Sequence, residues 1–206
     1  MTAAEILTML QSDIHTAVFA TVDDAGLPQT CVIDLMLSDE TGLYFLTAKG
    51  KAFYDRLMAR SFAAISGVKG ADTLSSVAIS VRGRVRCIGR ERLDEIFEKN
   101  LYMAKIYPSQ ESREALAVFR MDQGEGEYLD LSRLPPYRQR FSFGGGEARS
   151  RIYRIRAEKC IGCRGCLSVC PTGCISRAAP RVIDASHCLN CGNCLNICPV
   201  GAVARE

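Results

Sequence analysis

The chain has 206 residues, of which 48% are hydrophobic, and it carries a formal net charge of +3. This length and composition fit one globular domain of ordinary size plus one small domain, and so small a charge, without a Lys/Arg tract, argues against nucleic acid as a partner. No apolar run reaches the length of a membrane span and the N-terminus lacks signal-peptide features, so we expect a cytoplasmic protein without membrane insertion.

The first 131 residues alternate between strand-like and helical patterns. Strand patterns occur at Thr16–Val22, Gln29–Leu37, Leu43–Thr47, Phe62–Ser66 and Val77–Arg86. Helical patterns occur at Thr2–Gln11, Lys51–Ala59, Arg90–Asn100 and Gln110–Leu116. Gly124-Glu125-Gly126 predicts the turn of a closing hairpin between Val118–Met121 and Glu127–Leu131. Together these patterns predict an α+β domain dominated by a meandering, closed sheet.

The composition changes between Ser132 and Ser150, where prolines, arginines and three consecutive glycines occur. We interpret this segment as a linker with a short ordered part at Arg140–Phe143. The next strand pattern, Arg151–Arg156, leads directly into the first of a series of cysteines.

Eight cysteines near the C-terminus form two copies of one pattern, offset by 28 residues. Each copy reads Cys-x2-Cys-x2-Cys-x3-Cys-Pro, which is typical of bacterial proteins with two 4Fe-4S clusters, where the fourth cysteine of each run binds the other cluster. The expected ligands are Cys160, Cys163, Cys166 and Cys198 for one cluster, and Cys188, Cys191, Cys194 and Cys170 for the other. A disulfide framework or a pair of zinc sites would not account for a cysteine triple followed by Cys-Pro, twice.

Residues from Glu158 to Glu206 resemble a complete bacterial two-cluster ferredoxin domain. So short a segment with few large apolar side chains cannot bury a sufficient core, and we expect its folding to depend on the metal. We therefore divide the chain into a first domain at 1–132, a linker at 133–150 and a ferredoxin domain at 151–206.

Three stretches of the first domain carry a second resemblance: Ala20–Pro28, Leu43–Leu57 and Val81–Val85. Their order and spacing are similar to the pyridoxamine-phosphate-oxidase-like family of FMN-binding split β-barrels. The resemblance implies a homodimer that binds FMN in a groove between the subunits.

Carried over to this chain, the resemblance implies that the FMN phosphate meets Thr47, Lys49 and Lys51. A phosphate requires cationic donors and backbone N–H groups, and a helix N-terminus supplies the latter. The alternative is that the two lysines are solvated. Arg82 is the candidate for the polar edge of the flavin ring, although the family pattern has an arginine three residues before the central glycine, where this chain has Ser80.

These observations predict an iron-sulfur flavoprotein oxidoreductase that passes electrons between two 4Fe-4S clusters and FMN, with a redox partner protein or a small molecule as its substrate. The alternative is a flavin-free electron carrier whose barrel is a dimerisation or partner-docking module. No catalytic acid, base or nucleophile stands out. Two interpretations also remain open for the basic segment before the cysteines: it tunes the clusters or docks an acidic partner, or it is a solvated connection. Its seven arginines are residues 133, 138, 140, 149, 151, 154 and 156.

Overall fold

The structure is a computed structural model that describes residues 1–148 and 152–205. Four residues lie outside this description: Arg149, Ser150, Arg151 and Glu206. They include two arginines of the predicted basic segment and the last residue of the predicted linker. No helix in the described residues is both long and apolar enough to cross a membrane.

The chain folds into two compact units. The first comprises Met1–Lys69, Ala78–Tyr128 and Phe141–Ala148. The second comprises Gly70–Val77, Leu129–Arg140 and the C-terminal segment from residue 149 onward. Part of the predicted linker, 133–140, is therefore grouped with the cysteine-rich segment.

Six strands close into a barrel, and a seventh lies beside the last of them. The strands are β1 (Thr16–Val22), β2 (Pro28–Asp39), β3 (Gly42–Ala48), β4 (Phe62–Lys69), β5 (Val77–Gly89), β6 (Leu116–Asp130) and β7 (Tyr137–Phe143). Their order is β3-β2-β1-β4-β5-β6-β7, and pairing of β3 with β6 closes the barrel. The predicted closed, meandering sheet is confirmed, since β1 to β4 form at the predicted places.

Aromatic side chains fill the barrel interior. Alternate residues of β1 are buried, as a strand with one inward face requires. The inward-facing Phe19 lies 4.7 Å from Phe45 of β3, measured between ring centroids, and Phe45 stacks on Phe119 of β6 at 5.7 Å. The closed sheet thus buries its aromatic rings against one another rather than against a second sheet.

Four helices belong to this unit: α1 (Ala3–Met9), α2 (Ala52–Arg60), α3 (Leu93–Lys99) and α4 (Met103–Ile106). Thr2 and Glu5 form a capping box that starts α1. Phe53 and Leu57 of α2 are buried, and the Phe53 ring lies 5.9 Å from that of Phe19. Helix α2 therefore contributes to the barrel core.

The prediction of a helix at Gln110–Leu116 was wrong. Glu111–Arg113 form a single 3-10 turn, and Leu116 already begins β6. The short helix α4 forms earlier in the chain instead, and Met103 is its buried residue. Because Leu116 and Val118 pack in one apolar cluster with α3, burial in the sheet outweighs the local helical pattern.

The predicted hairpin at Gly124-Glu125-Gly126 was also wrong, because β6 runs through these residues as one strand. An added Cβ at Gly124 would lie 2.5 Å from the Arg82 carbonyl oxygen, and one at Gly126 would lie 2.6 Å from the Phe141 ring. The two glycines thus permit close packing of neighbouring strands and do not form a turn.

In the second unit, the two cysteine repeats adopt matching backbones. Short helices α5 (Gly165–Ser168) and α6 (Asn193–Asn196) occupy equivalent positions, 28 residues apart. Strands β8 (Tyr153–Ile155) and β9 (Val203–Arg205) pair antiparallel, so the predicted strand at 151–156 is present at its described centre. The repeat seen in the sequence is therefore a structural repeat.

The segment before the second repeat holds part of the predicted linker. The Arg138 backbone N–H donates to the Ser186 carbonyl oxygen at 2.7 Å, and His187 Nδ1 lies 3.0 Å from the Pro136 carbonyl oxygen. The Tyr137 ring meets the His187 ring edge-on at 6.1 Å. Residues 136–138 are thus ordered against the cysteine-rich segment.

Candidate cluster and flavin sites

Four cysteines surround a first cavity with about 330 Å³ of empty volume. Three come from the first repeat, Cys160, Cys163 and Cys166, and the fourth is Cys198 of the second repeat. Most other lining side chains are apolar, namely Ile155, Ile161, Val200, Ala202 and Val203. The structure thus brings the first predicted ligand set together.

A second cavity, with about 320 Å³ of empty volume, repeats this arrangement. It is lined by Cys188, Cys191 and Cys194 of the second repeat and by Cys170 of the first. Sets of four thiols are the donors that 4Fe-4S clusters require, and the exchange of the fourth cysteine is the pattern of two-cluster proteins. The residues present therefore fit two clusters. In the described part of the chain, no three Cys, His, Asp or Glu side chains converge as a single-ion site.

Left-handed backbone at equivalent positions shapes both loops. Gly162 and Asn190 have φ of 71° and 54°, and Arg164 and Gly192 have φ of 67° and 81°. Alternation of right-handed and left-handed residues points successive N–H groups into one concavity, which favours an anionic group. The Asn190 N–H already lies 3.4 Å from the Cys188 sulfur.

The pKa values of the thiols follow burial and backbone hydrogen bonds. Burial acts to raise the pKa of Cys198, but backbone N–H groups, including that of Ala202 at 3.2 Å from the sulfur, outweigh it and lower the pKa. Burial raises the pKa of Cys166 and Cys194, and at Cys166 the positive charge of Arg181 opposes that effect. Since iron binds the thiolate, the backbone favours the binding form at Cys198.

A fifth thiol, Cys174, also lines the second cavity, with its sulfur 3.5 Å from that of Cys170. Burial raises the pKa of Cys174 to about 12. The equivalent residue of the second repeat is Ala202. Cys174 therefore occupies the position of a small buried side chain, and its thiol is protonated at neutral pH.

In the barrel, Thr47 is buried at the end of β3, and its hydroxyl has no hydrogen-bond partner within the described chain. A buried hydroxyl without a partner is unfavourable, so this oxygen is suited to an added polar group. Lys49 and Lys51 follow on the surface, and α2 begins at Ala52 without a side-chain cap. The residues present therefore fit a phosphate group at a helix N-terminus.

Arg56 of α2 belongs to the same region, although its role could not be predicted from the sequence. Its Nε donates to the Thr21 hydroxyl at 2.8 Å. Burial raises the pKa of the Cys31 thiol, while the charges of Arg56 and Lys51 act in the opposite direction. Two cations thus act on one strand position near the start of α2. Their distance apart in the sequence gave no signal of this, because the barrel closure brings them to Cys31.

Arg82 lies elsewhere in the chain. Its Nε donates to Glu125 of β6 at 3.0 Å. Thr47 pairs with Ala117 of β6, whereas Gly83 packs on Gln123, about 20 Å further along the strand at the usual rise per residue. Within one subunit, the structure does not bring Arg82 to the other predicted flavin residues.

The outer face of β2, β1 and β4 is apolar and exposed. Val32 is 64% exposed, Phe62 50% and Val18 45%. A wide cavity lies on the same face, between Val22, Pro28, Arg60 and Phe62. A contiguous exposed apolar surface on a small domain indicates an interaction surface.

Comparison with known families defines the class of the protein. The family model described as pyridoxamine 5'-phosphate oxidase matches residues 3–130, and the 4Fe-4S dicluster domain model matches residues 159–202. The protein is thus a split-barrel protein joined to a dicluster ferredoxin-type domain. Because the first match spans more than half of the 206 residues, the chain belongs to the pyridoxamine 5'-phosphate oxidase family. The resemblances noted in the sequence are confirmed.

Solved structures share the barrel fold at low sequence identity. A NimC/NimA family protein from Clostridium acetobutylicum matches with a TM-score of 0.55 and 18% identity, over 68% of this chain and 92% of its own. A heme-binding protein from Mycobacterium smegmatis matches with a TM-score of 0.54 and 16% identity, over 72% of this chain and 62% of its own.

A third structure, PhzG from Burkholderia lata 383 in complex with tetrahydrophenazine-1-carboxylic acid, matches with a TM-score of 0.50 and 17% identity, over 65% of this chain and 80% of its own. A search of curated proteins found no match. The fold is shared by proteins with different ligands, so the fold alone does not select the cofactor.

Proposed function

We propose that the protein is an iron-sulfur flavoprotein oxidoreductase that passes electrons between two 4Fe-4S clusters and FMN. The combination of this barrel family with a dicluster domain indicates redox electron transfer. The observation that supports the proposal most directly is the pair of cavities, each lined by three thiols of one repeat and one of the other. The ligand assignment and the domain boundaries at residues 132 and 150 are part of the proposal.

The chain's own residues have distinct tasks in this proposal. The eight cysteines hold iron as thiolates, and the apolar side chains around them exclude water from the cavities. Clusters carry single electrons, whereas FMN, when bound, can accept two and exchange them as hydride. The fusion thereby couples one-electron transfer to two-electron chemistry on a substrate.

FMN retention is supported by the residues around the start of α2. Thr47 offers a buried hydroxyl, Lys49 and Lys51 offer cations, and α2 offers uncapped N–H groups. Arg56 is an additional cation that we include in this site. We keep Arg82 as a candidate for the flavin ring only in a dimer, because in its own chain it is paired with Glu125.

A homodimer is the second component of the proposal. Barrels of this family commonly dimerise, and the exposed apolar face of β2, β1 and β4 offers a surface of the necessary character. Burial of Val18, Val32 and Phe62 against a second copy would remove them from water. A flavin-free electron carrier is the alternative function, and the exposed side chains of Lys49 and Lys51 are the observation that favours it.

The test is the cofactor content of protein purified and reconstituted without oxygen. Eight iron and eight acid-labile sulfide atoms per chain are expected for two 4Fe-4S clusters. Acid-released FMN in a ratio of about one per chain supports the flavoprotein, and its absence supports the carrier. Zinc in place of iron would contradict both functions, and a heme spectrum would contradict the assignment of FMN.

A further inference from the structure

The two thiol-lined cavities differ in charge. Arg181 is only 8% exposed and lines the first cavity together with its four cysteines. Arg164 lines the same cavity from the exposed surface. Among the described residues that line the second cavity, none is charged.

Hydrogen bonds fix the Arg181 guanidinium in place. One terminal nitrogen donates to the carbonyl oxygens of Ser176 and Arg177 at 3.2 and 2.9 Å, and the other to the Gly162 oxygen at 3.4 Å. Its Nε is buried with no partner among residues 1–148 and 152–205. These partners are neutral carbonyls, so the hydrogen bonds leave the positive charge of Arg181 unneutralised.

The internal repeat shows that the asymmetry is specific to one site. The position of Arg164 in the first repeat is occupied by Gly192 in the second, with a left-handed backbone in both. Arg181 lies in the segment between the repeats and has no counterpart beside the second cavity. The two sites therefore share their thiol donors and differ in nearby cations.

We propose that Arg181 makes the site of Cys160, Cys163, Cys166 and Cys198 the first of the two to accept an electron. The inference rests on the proposed function, because it requires a cluster at each site. Each single-electron reduction adds one negative charge, and a buried positive charge lowers the energy of that added charge more than an exposed one does. Charge, hydrogen bonding and burial are the protein's means of setting cluster potentials. An electron received from an external reductant therefore resides at the first site before the second is reduced.

The first experiment asks which site has the higher potential. The full chain, reconstituted without oxygen, is titrated with dithionite and followed by electron paramagnetic resonance. Cys163→Ala disrupts the first site and is expected to remove the signal with the higher midpoint potential. Cys191→Ala disrupts the second site and is expected to remove the lower one. The opposite assignment would overturn the inference.

The second experiment asks whether Arg181 is the cause. In Arg181→Gln, the higher midpoint potential is expected to shift to more negative values while the lower one stays in place. Arg181→Lys keeps the charge and is expected to restore most of the potential. Arg164→Gln, at the exposed cation of the same cavity, serves as the matched control and is expected to shift the potential less.

The outcomes separate this inference from the proposed function. Two clusters with equal potentials, or an unchanged potential in an Arg181→Gln protein with full iron content, overturn the role of Arg181 and leave the electron-transfer function intact. A wild-type chain that takes up no iron overturns the proposed function and this inference together. If Arg181→Gln loses iron, the wild-type signal assignment by the two cysteine variants decides the order of the sites.

Discussion

A single positive charge at Lys51 separates flavin binding from cluster assembly. In Lys51→Ala we expect FMN affinity to fall about 10- to 100-fold, because a hydrogen bond to a charged group contributes about 1.5–3 kcal/mol. Iron content should not change, since no cysteine of either ligand set lines a cavity with Lys51. Titration of flavin-free protein with FMN measures the first quantity and metal analysis the second.

Lys105 provides the control for this prediction, because it is an exposed lysine of the same unit on α4. Lys105→Ala should leave FMN affinity unchanged. Parallel loss of FMN and iron in Lys51→Ala would show that the flavin site has been assigned to the wrong residues.

Glu95 on α3 stabilises the barrel unit in a pH-dependent way. Its hydrogen bonds, first to Arg92 at 2.7 Å and then to Lys99, lower its pKa from 4.5 to about 2. A carboxylate whose pKa is lowered by folding contributes stability above its unfolded pKa and loses it as the pH falls through the folded value. The stabilisation is therefore complete above about 4.5 and lost toward about 2.

Glu95→Gln should lower Tm at neutral pH, and the Tm difference from the wild type should shrink as the pH falls below about 4.5. Thermal unfolding followed by circular dichroism measures this difference. Glu98→Gln, at an exposed position of the same helix, should show little difference at any pH. A difference for Glu95→Gln that is constant with pH would contradict the ion-pair explanation.

At the scale of elements, the uninterrupted course of β6 depends on its glycines. An added Cβ at Gly126 would lie 2.6 Å from the Phe141 ring and 2.7 Å from the Ser80 carbonyl oxygen, so Gly126→Ala must displace β5 or β7. We expect the free energy of unfolding to fall by about 1–3 kcal/mol, the usual cost of overpacking. Denaturant unfolding measures this loss.

Gly50→Ala is the matched substitution for stability, because no atom lies within 4 Å of its added Cβ. It should unfold at the same denaturant concentration as the wild type, within the range of ordinary surface changes. Equal losses in the two variants would show that backbone freedom, and not the approach of Phe141, explains Gly126.

The glycines of β6 also show where sequence patterns stop being informative. Strands β1 and β3 could be predicted because alternation of buried and exposed residues is local. Gly124 and Gly126 gave the signal of a turn, and only the approach of β5 and β7 shows that they are strand residues. Likewise, Gln110–Leu116 was assigned to a helix because its pairing partner Ala48, 68 residues earlier, is not visible locally.

At the scale of the whole molecule, the same limit applies unequally to the two candidate sites. The thiol ligand sets could be predicted because all eight cysteines lie within one repeated pattern of fixed spacing. The flavin site could be predicted only as far as Thr47, Lys49 and Lys51, which are adjacent in the sequence. Arg56 joins Lys51 through folding of α2 onto the barrel, and Arg82 is carried away to the Glu125 end of β6.

Dimer formation should depend on the apolar face of β2, β1 and β4. Val32→Glu places a charge at a position that is 64% exposed in one chain and that we expect to be buried in the dimer. Light scattering on a size-exclusion column should show monomers, with a lower FMN content. Leu101→Glu, at a position that is 75% exposed outside this face, should remain dimeric. A dimeric Val32→Glu protein would exclude this face as the interface.

Iron removal should unfold the second unit and spare the first. The buried apolar residues of the cysteine-rich segment are few, chiefly Ile175, Ala202 and Val203, whereas the barrel buries a full aromatic core. So small a core cannot offset the conformational entropy of the segment without metal–thiolate bonds. Residues 136–138, which bond to Ser186 and His187, should lose their protection together with the cysteine loops.

Hydrogen exchange measured peptide by peptide, before and after anaerobic chelation, tests this division. Peptides from β1, β3 and β6 serve as the internal control and should keep their protection, because their hydrogen bonds belong to the closed barrel. Cysteine-loop peptides that remained protected without iron would show that the segment folds on side-chain packing alone. Simultaneous loss in the barrel would instead show that the two units unfold as one cooperative structure.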